Sequence, residues 1–270
     1  MKCLKHLSAA WPVLLWAAGK ACAAELLANG GFEQNGGAGT SAFVSWTAQS
    51  QAGSQGGFYA QQGSQSAITP VAVPTPPAGS FTAMTDQPGP GGHVLYQDVA
   101  LPTGLPIAFT GKVYVQNAAR IAAAPASLDY TGAAPNQQVR IDVMDPAAGA
   151  FDTSAGVLKP LFAWPSTSEP SHAMADSAYQ NIQADLSAFA GQTVRIRIAQ
   201  TDNRQSLFVG LDALSVQQVQ PLTTPAAPSQ VAYFVQGGVL QLGFAPVSAP
   251  ANDPVIAYNA QCTPVGGGAV

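Results

Sequence analysis

The chain has little cysteine, little charge and little histidine, and each shortage excludes something. Three cysteines occur in 270 residues. Cys3 and Cys22 fall in an N-terminal stretch that reads as a removable leader, so the remainder keeps Cys262 alone. One cysteine closes no internal disulfide, and the body of the protein has to be held by its core. Charged residues make up 9% of the chain, too few for a solvated helical protein. Ten cations face fourteen acids, and without Lys2, Lys5 and Lys20 the balance moves from −4 to −7. An acidic surface with no basic patch interleaved with aromatics offers nucleic acid no electrostatic footprint. His93 and His172 are the histidines outside the leader, and neither has a metal-ligand spacing to Cys, Asp or Glu. There is no Gly-x-Ser-x-Gly elbow and no phosphate-binding glycine loop. Asp152, Glu169, Asp176 and Asp202 have no spacing that asks for a glycosidase pair. The expectation is a protein that is not an enzyme.

What is present begins with residues 1–24. Lys2 and Lys5 precede the apolar run Trp11 to Ala18, and Ala21-Cys22-Ala23 supplies small residues for cleavage. This pattern reads as a secretory signal peptide, with an apolar run too short to span a bilayer. The mature chain then starts near Glu25, carries no transmembrane segment, and is exported to the periplasm, the cell surface or the medium. A lipidated Cys22 is the competing reading, and Lys20 sits badly for it.

The mature sequence reads as short strands. In Thr193 to Ala199, Val194, Ile196 and Ile198 alternate with Arg195 and Arg197, the period of a strand with one buried and one wet face. Ile107 to Val115 and Gln138 to Met144 repeat the scheme, with Tyr114 and Arg140 pointing outward. Further strands are expected at Glu25–Leu27, Phe43–Trp46, Phe58–Ala60, Phe81–Thr85, Val94–Val99 and Leu207–Val216, with residues 201–206 as a polar loop. Ser187 to Gly191 reads as one turn of helix stopped by a glycine, and residues 67–80 as a proline-rich surface loop. With no helix of ordinary length and no βαβ rhythm, the fold class is all-β, a sandwich over residues 25–220. A proline-rich linker follows at 221–228, and a different pattern over 229–270.

Asn29-Gly30-Gly31-Phe32-Glu33, Trp46, and the closing run Leu211-Asp212-Ala213-Leu214-Ser215-Val216 together resemble the galactose-binding-like jelly-roll sandwiches found among carbohydrate-binding modules. The middle of the chain is similar to bacterial surface proteins of that fold. The resemblance implies a non-catalytic glycan-binding or cell-surface recognition module; a structural or adhesive protein without a sugar ligand is the alternative, and an accessory part of a polysaccharide-degrading enzyme a more distant one. It also implies a structural calcium ion tying the first strand to the last, with Glu33 and Asp212 as carboxylate ligands. The bland reading has Glu33 capping a turn and Asp212 accepting from backbone amides.

For a glycan, Tyr96, Tyr114, Arg140, Arg195 and Arg197 are the candidate binding residues, an aromatic and polar set on outward sheet faces. The bland reading of each is a solvated or packed face. The Gly-Pro loop 88–92 with His93 is a second candidate place, at a rim. Trp46 reads as core. Residues 229–270 resemble the first three strands of a fibronectin type III domain, Val231–Tyr233, Gly238–Phe244 and Pro254–Cys262. Such a sandwich needs about seven strands. The expectation is therefore a chain cut inside its second domain, with Cys262 lacking a partner strand.

Overall fold

The computed structural model describes residues 24–165, 171–172, 178–219, 229–236 and 239–245. The chain divides into two compact units, and the larger spans Ala23–Pro221. Its strands in order are β1 (Thr47–Ser50), β2 (Gly57–Gln61), β3 (Thr82–Asp86), β4 (Gly91–Ala100), β5 (Ile107–Asn117), β6 (Ile121–Ala122) and β7 (Gln138–Met144). They continue with β8 (Val157–Trp164), β9 (Ser171–His172), β10 (Gln180–Asp185), β11 (Thr193–Asp202) and β12 (Leu207–Gln218).

Two five-stranded sheets result, ordered β1-β4-β11-β7-β8 and β10-β5-β12-β3-β2. Every pairing among the described residues is antiparallel. From β3 to β5 and again from β10 to β12 the chain alternates between the sheets, the winding of a jelly-roll sandwich. The alternating apolar residues explain it. Phe109, Val113 and Val115 of β5 and Leu207, Val209 and Leu211 of β12 meet Leu95 and Val99 of β4 and Val194, Ile196 and Ile198 of β11 in one core. Each such side chain is worth ~1.5–3 kcal/mol of burial.

The N-terminal segment is a set of turns rather than strands. Glu25 makes one isolated bridge to Gln217, and Phe43 one to Asn35. The expected strands at Glu25–Leu27 and Phe43–Trp46 are therefore absent: Asn29, Phe32 and Ser45 have φ of 52°, 56° and 70°, which break extension. The aromatics are used for packing, with Phe32 5.2 Å from Trp46 and 5.5 Å from Phe43 between ring centroids. Trp46 is core, and its Nε1 donates to the Asn29 carbonyl. Gly30 lets this segment reach the end of the fold, because a Cβ there would sit 1.7 Å from the Leu214 carbonyl oxygen.

Three further expectations change. Arg195 and Arg197 do not face water; they are 8% and 0% exposed. The outer face of their sheet is covered by residues 145–156, with Ala150 and Phe151 packing on Val94, Leu128 and Ala199. Residues 201–202 belong to β11 rather than to a loop. His93 is no rim residue but lies inside the sandwich, fully buried. The turn at Ser187–Phe189 is present as a 3-10 turn, followed by Gly191 at φ 82°.

In the second unit, β13 (Ser229–Gln236) and β14 (Val239–Ala245) form an antiparallel hairpin. The expected third strand, Pro254–Cys262, and Cys262 itself lie outside the described residues, as does the leader.

Candidate functional site

Pairing across β4, β11 and β7 sets Tyr96, Arg197 and Asp142 in one row, and Asp98, Arg195 and Met144 in the next. Outward-pointing arginines thus meet outward-pointing acids. Arg195 donates from Nε and Nη2 to the two oxygens of Asp98 at 2.7 and 3.0 Å. Its guanidinium lies 4.1 Å from the Tyr96 ring centre, and Nη1 donates to the Ala148 carbonyl. The bond to Asp98 raises the Arg195 pKa. Arg197 donates to Asp142 and, through Nη1, to the Ala150 and Asp152 carbonyls at 2.8 and 2.6 Å. Burial lowers its pKa and Asp142 opposes that. Both arginines are spent on holding the 145–156 segment to the sheet. Tyr114 belongs to the other sheet, where it is 3% exposed and packs on Tyr179 at 5.6 Å beneath Val73. The five candidate residues therefore do not form one surface.

Arg140 is different. Its Nε and Nη2 grip Asp142 at 2.6 and 2.9 Å, while the side chain keeps 18% of its exposure. Nη1 has no hydrogen bond among the described residues. A cleft of about 240 Å³ opens beside it, walled by Pro125, Pro160, Phe162 and Pro165, with Gln138 and Arg140 supplying polar groups. Apolar faces next to a planar donor suit the two sides of a sugar ring, C–H on one and hydroxyl on the other. Sequence reasoning missed Phe162 and the prolines, because β8 shows no alternation and Pro160 argues against a central strand. β8 is an edge, where proline is tolerated.

At the sandwich end formed by residues 87–91 and 203–206, the interior is polar. Gln200 Nε2 donates to Asp202 Oδ1 at 2.9 Å, and the nearby Gln87 side chain also favours the Asp202 carboxylate. Burial pushes the Asp202 carboxyl up to about 7, against these bonds. Gln87 Oε1 and Gln200 Oε1 are buried acceptors with no partner among the described residues. A protonated Asp202 has a hydrogen to give either of them. His93 bonds Ser50 at 2.8 Å and the Gln55 carbonyl at 3.1 Å, and burial pulls it down to about 4, so it is neutral near pH 7. Asp202 lines an open cleft of about 410 Å³ with Pro88, Pro90, Arg204 and Ser206.

Glu33 and Asp212 both accept from amides of the 78–81 segment, where the N-terminal turns meet β12. Ser80 and Phe81 amides donate to Glu33 Oε1, and the Ala78 and Ala213 amides to the two oxygens of Asp212. Burial and the Glu33 charge push Asp212 up to about 6. Two neighbouring carboxylates, one of them raised, fit a divalent cation in charge. In number they supply two ligands, and no group of three or more metal-capable side chains occurs among the described residues. Backbone carbonyls and water would have to complete the six to eight oxygens of calcium.

Of the acids weighed as a glycosidase pair, the two described ones, Asp152 and Asp202, are separated. Asp152 accepts from its own loop, at Ser154 and Gly156, on the outer side of β11. Asp202 projects from the opposite face of that strand. Glu169 and Asp176 lie outside the described residues.

No protein-family model and no curated protein matches the chain. Among solved structures, TmCBM61, a carbohydrate-binding module in complex with β-1,4-galactotriose, is similar over 73% of this chain and 100% of its own, at 10% identity and TM-score 0.43. The K1 cleaved adhesin domain of Lys-gingipain from Porphyromonas gingivalis W83 is similar over 66% of this chain and 92% of its own, at 11% identity and TM-score 0.39. A cyclase from Fischerella sp. TAU covers 72% and 96%, at 12% identity and TM-score 0.43. A likeness this distant is no argument about ligand or chemistry, and the jelly-roll sandwich stands on the sheet order itself.

Proposed function

We propose that the Ala23–Pro221 unit is a non-catalytic saccharide-binding module of an exported protein, with its ligand in the Arg140 cleft. The observation that carries this is the pose of Arg140. Asp142 fixes the guanidinium plane from one side, Nη1 has no hydrogen bond among the described residues, and the side chain lines an open cleft with Phe162 and three prolines. A donor held rigid before binding loses little entropy when a hydroxyl meets it. Export is supported by the charged start, short apolar run and small-residue site of residues 1–24.

The test is a glycan array followed by titration calorimetry on the mature chain, with β-1,4-galactotriose among the neutral probes. Binding that is lost in Arg140→Ala and weakened in Phe162→Ala supports the cleft. An array on which nothing binds removes the reading and leaves an adhesive or structural unit. Turnover of a bound polysaccharide would overturn the non-catalytic part.

A further inference from the structure

The cations of this protein are few, and their partners single out two of them. Seven lie outside the leader. Arg140, Arg195 and Arg197 are paired with carboxylates. Lys112 donates to Asn181 and Lys159 to the Asp185 carbonyl. Arg204 donates from Nη2 to the Ala133 carbonyl and has no carboxylate partner among the described residues. The Arg120 guanidinium has no hydrogen bond or ion pair among the described residues.

These two arginines line the same cleft. It measures about 420 Å³ and is completed by Ala119, Ile121, Pro135 and Gln205. Ile121 is 43% exposed, a large apolar side chain left to water beside two cations that have no acid partner among the described residues. Arg204 and Gln205 also form a wall of the Asp202 cleft. No residue is shared with the Arg140 cleft. Elsewhere the fold gives its arginines acidic neighbours, although acids outnumber cations two to one beyond the leader.

We propose that the cleft between Arg120 and Arg204 is a second binding site, for an acidic saccharide. The two guanidinium groups take a carboxylate or a sulfate ester, each able to form paired N–H···O bonds. Ala119, Ile121 and Pro135 take the C–H face of the ring, and the Gln205 amide reaches a hydroxyl. The site does not depend on the Arg140 reading, since a neutral sugar gives the arginines here no charge to meet.

The experiment titrates the mature chain with an oligogalacturonate, a sulfated galactan oligosaccharide and a neutral galactan oligosaccharide of equal length. One or both acidic probes bind, more weakly as salt rises, and the neutral probe does not compete for the same site. Arg120→Ala weakens acidic binding by at least about tenfold, the scale of losing one charge-assisted pair. Arg140→Ala leaves it unchanged. Which acidic probe binds tells a uronate from a sulfate ester. Arg120 makes no hydrogen bond or ion pair among the described residues, so its variants are expected to keep the parent melting curve, and Arg120→Gln serves as the second variant. The proposal falls if neither acidic probe binds, or if binding survives Arg120→Ala combined with Arg204→Gln. Neutral-glycan binding through Arg140 can fail while this site stands, and the reverse.

Discussion

The Arg197 guanidinium lies against the Asp142 carboxylate with both side chains at 0% exposure. Asp142 is also gripped by Arg140, so one acid serves two arginines on adjacent strands. Arg197 spends its other donor on two loop carbonyls, and its Nε is buried without a partner among the described residues. Removing Arg197 or Asp142 leaves the other charged and buried, short of a partner.

Arg197→Ala is therefore expected to destabilise the larger unit by ~3–5 kcal/mol, the range for breaking a buried pair. Residues 148–153 should become cleavable by protease, since Arg197 holds the carbonyls of 150 and 152. Denaturant melts and a proteolysis time course would show both. Stability within about 1 kcal/mol of the parent would mean that the pair only breaks even.

Asp202 predicts a pH dependence. Its carboxyl ordinarily titrates near 3.8 and is pushed up to about 7 in the fold. Between those values the folded protein holds a proton that the unfolded chain has lost. The stability this contributes is full below pH 3.8 and lost as pH rises through about 7. Asp202→Asn cannot ionise and keeps hydrogens for Gln87 and Gln200. It should flatten the melting-temperature profile over that window and exceed the parent above it, by an amount on the order of a few kcal/mol. A parallel pair of profiles would show that Asp202 does not titrate there.

Calcium at Glu33 and Asp212 is testable by chelation. An ion bound only by the folded state stabilises it by mass action. Chelator is expected to lower the melting temperature, and added calcium to restore it. Glu33→Gln with Asp212→Asn should remove the response. A melting curve unmoved by chelator would assign both carboxylates to the amides that already meet them.

The long strands were legible because their apolar residues alternate. Val194, Ile196 and Ile198, or Ile107, Phe109 and Val113, state which face goes inward. Alternation says nothing of what lies above the outer face. Arg195 and Arg197 therefore read as wet, and only the return of residues 145–156, some 47 positions away in sequence, buries them. Tyr114 failed for the same reason, with Val73 and Tyr179 over it. The interior turn of His93 was hidden because Gly91 and Gly92 look like loop and are strand. Arg120 had no signal at all, since its distinction is the lack of a partner among the described residues, which only the folded arrangement shows.

The bridge from Glu25 to Gln217 has a mechanical meaning. Leu26 donates to Val216, and the Glu25 carboxylate takes Val216 N–H, Ser215 Oγ and Gln217 Nε2. The chain enters and leaves the unit side by side. Tension along the polypeptide would load this clasp bond by bond, as a zipper rather than a shear joint. The Asp202 cleft includes Ser206, just before β12 begins, roughly 33 Å from Val216 at 3.3 Å per residue. A ligand held there would hang at the end of the unit opposite its tether, where pulling on the backbone reaches the clasp first.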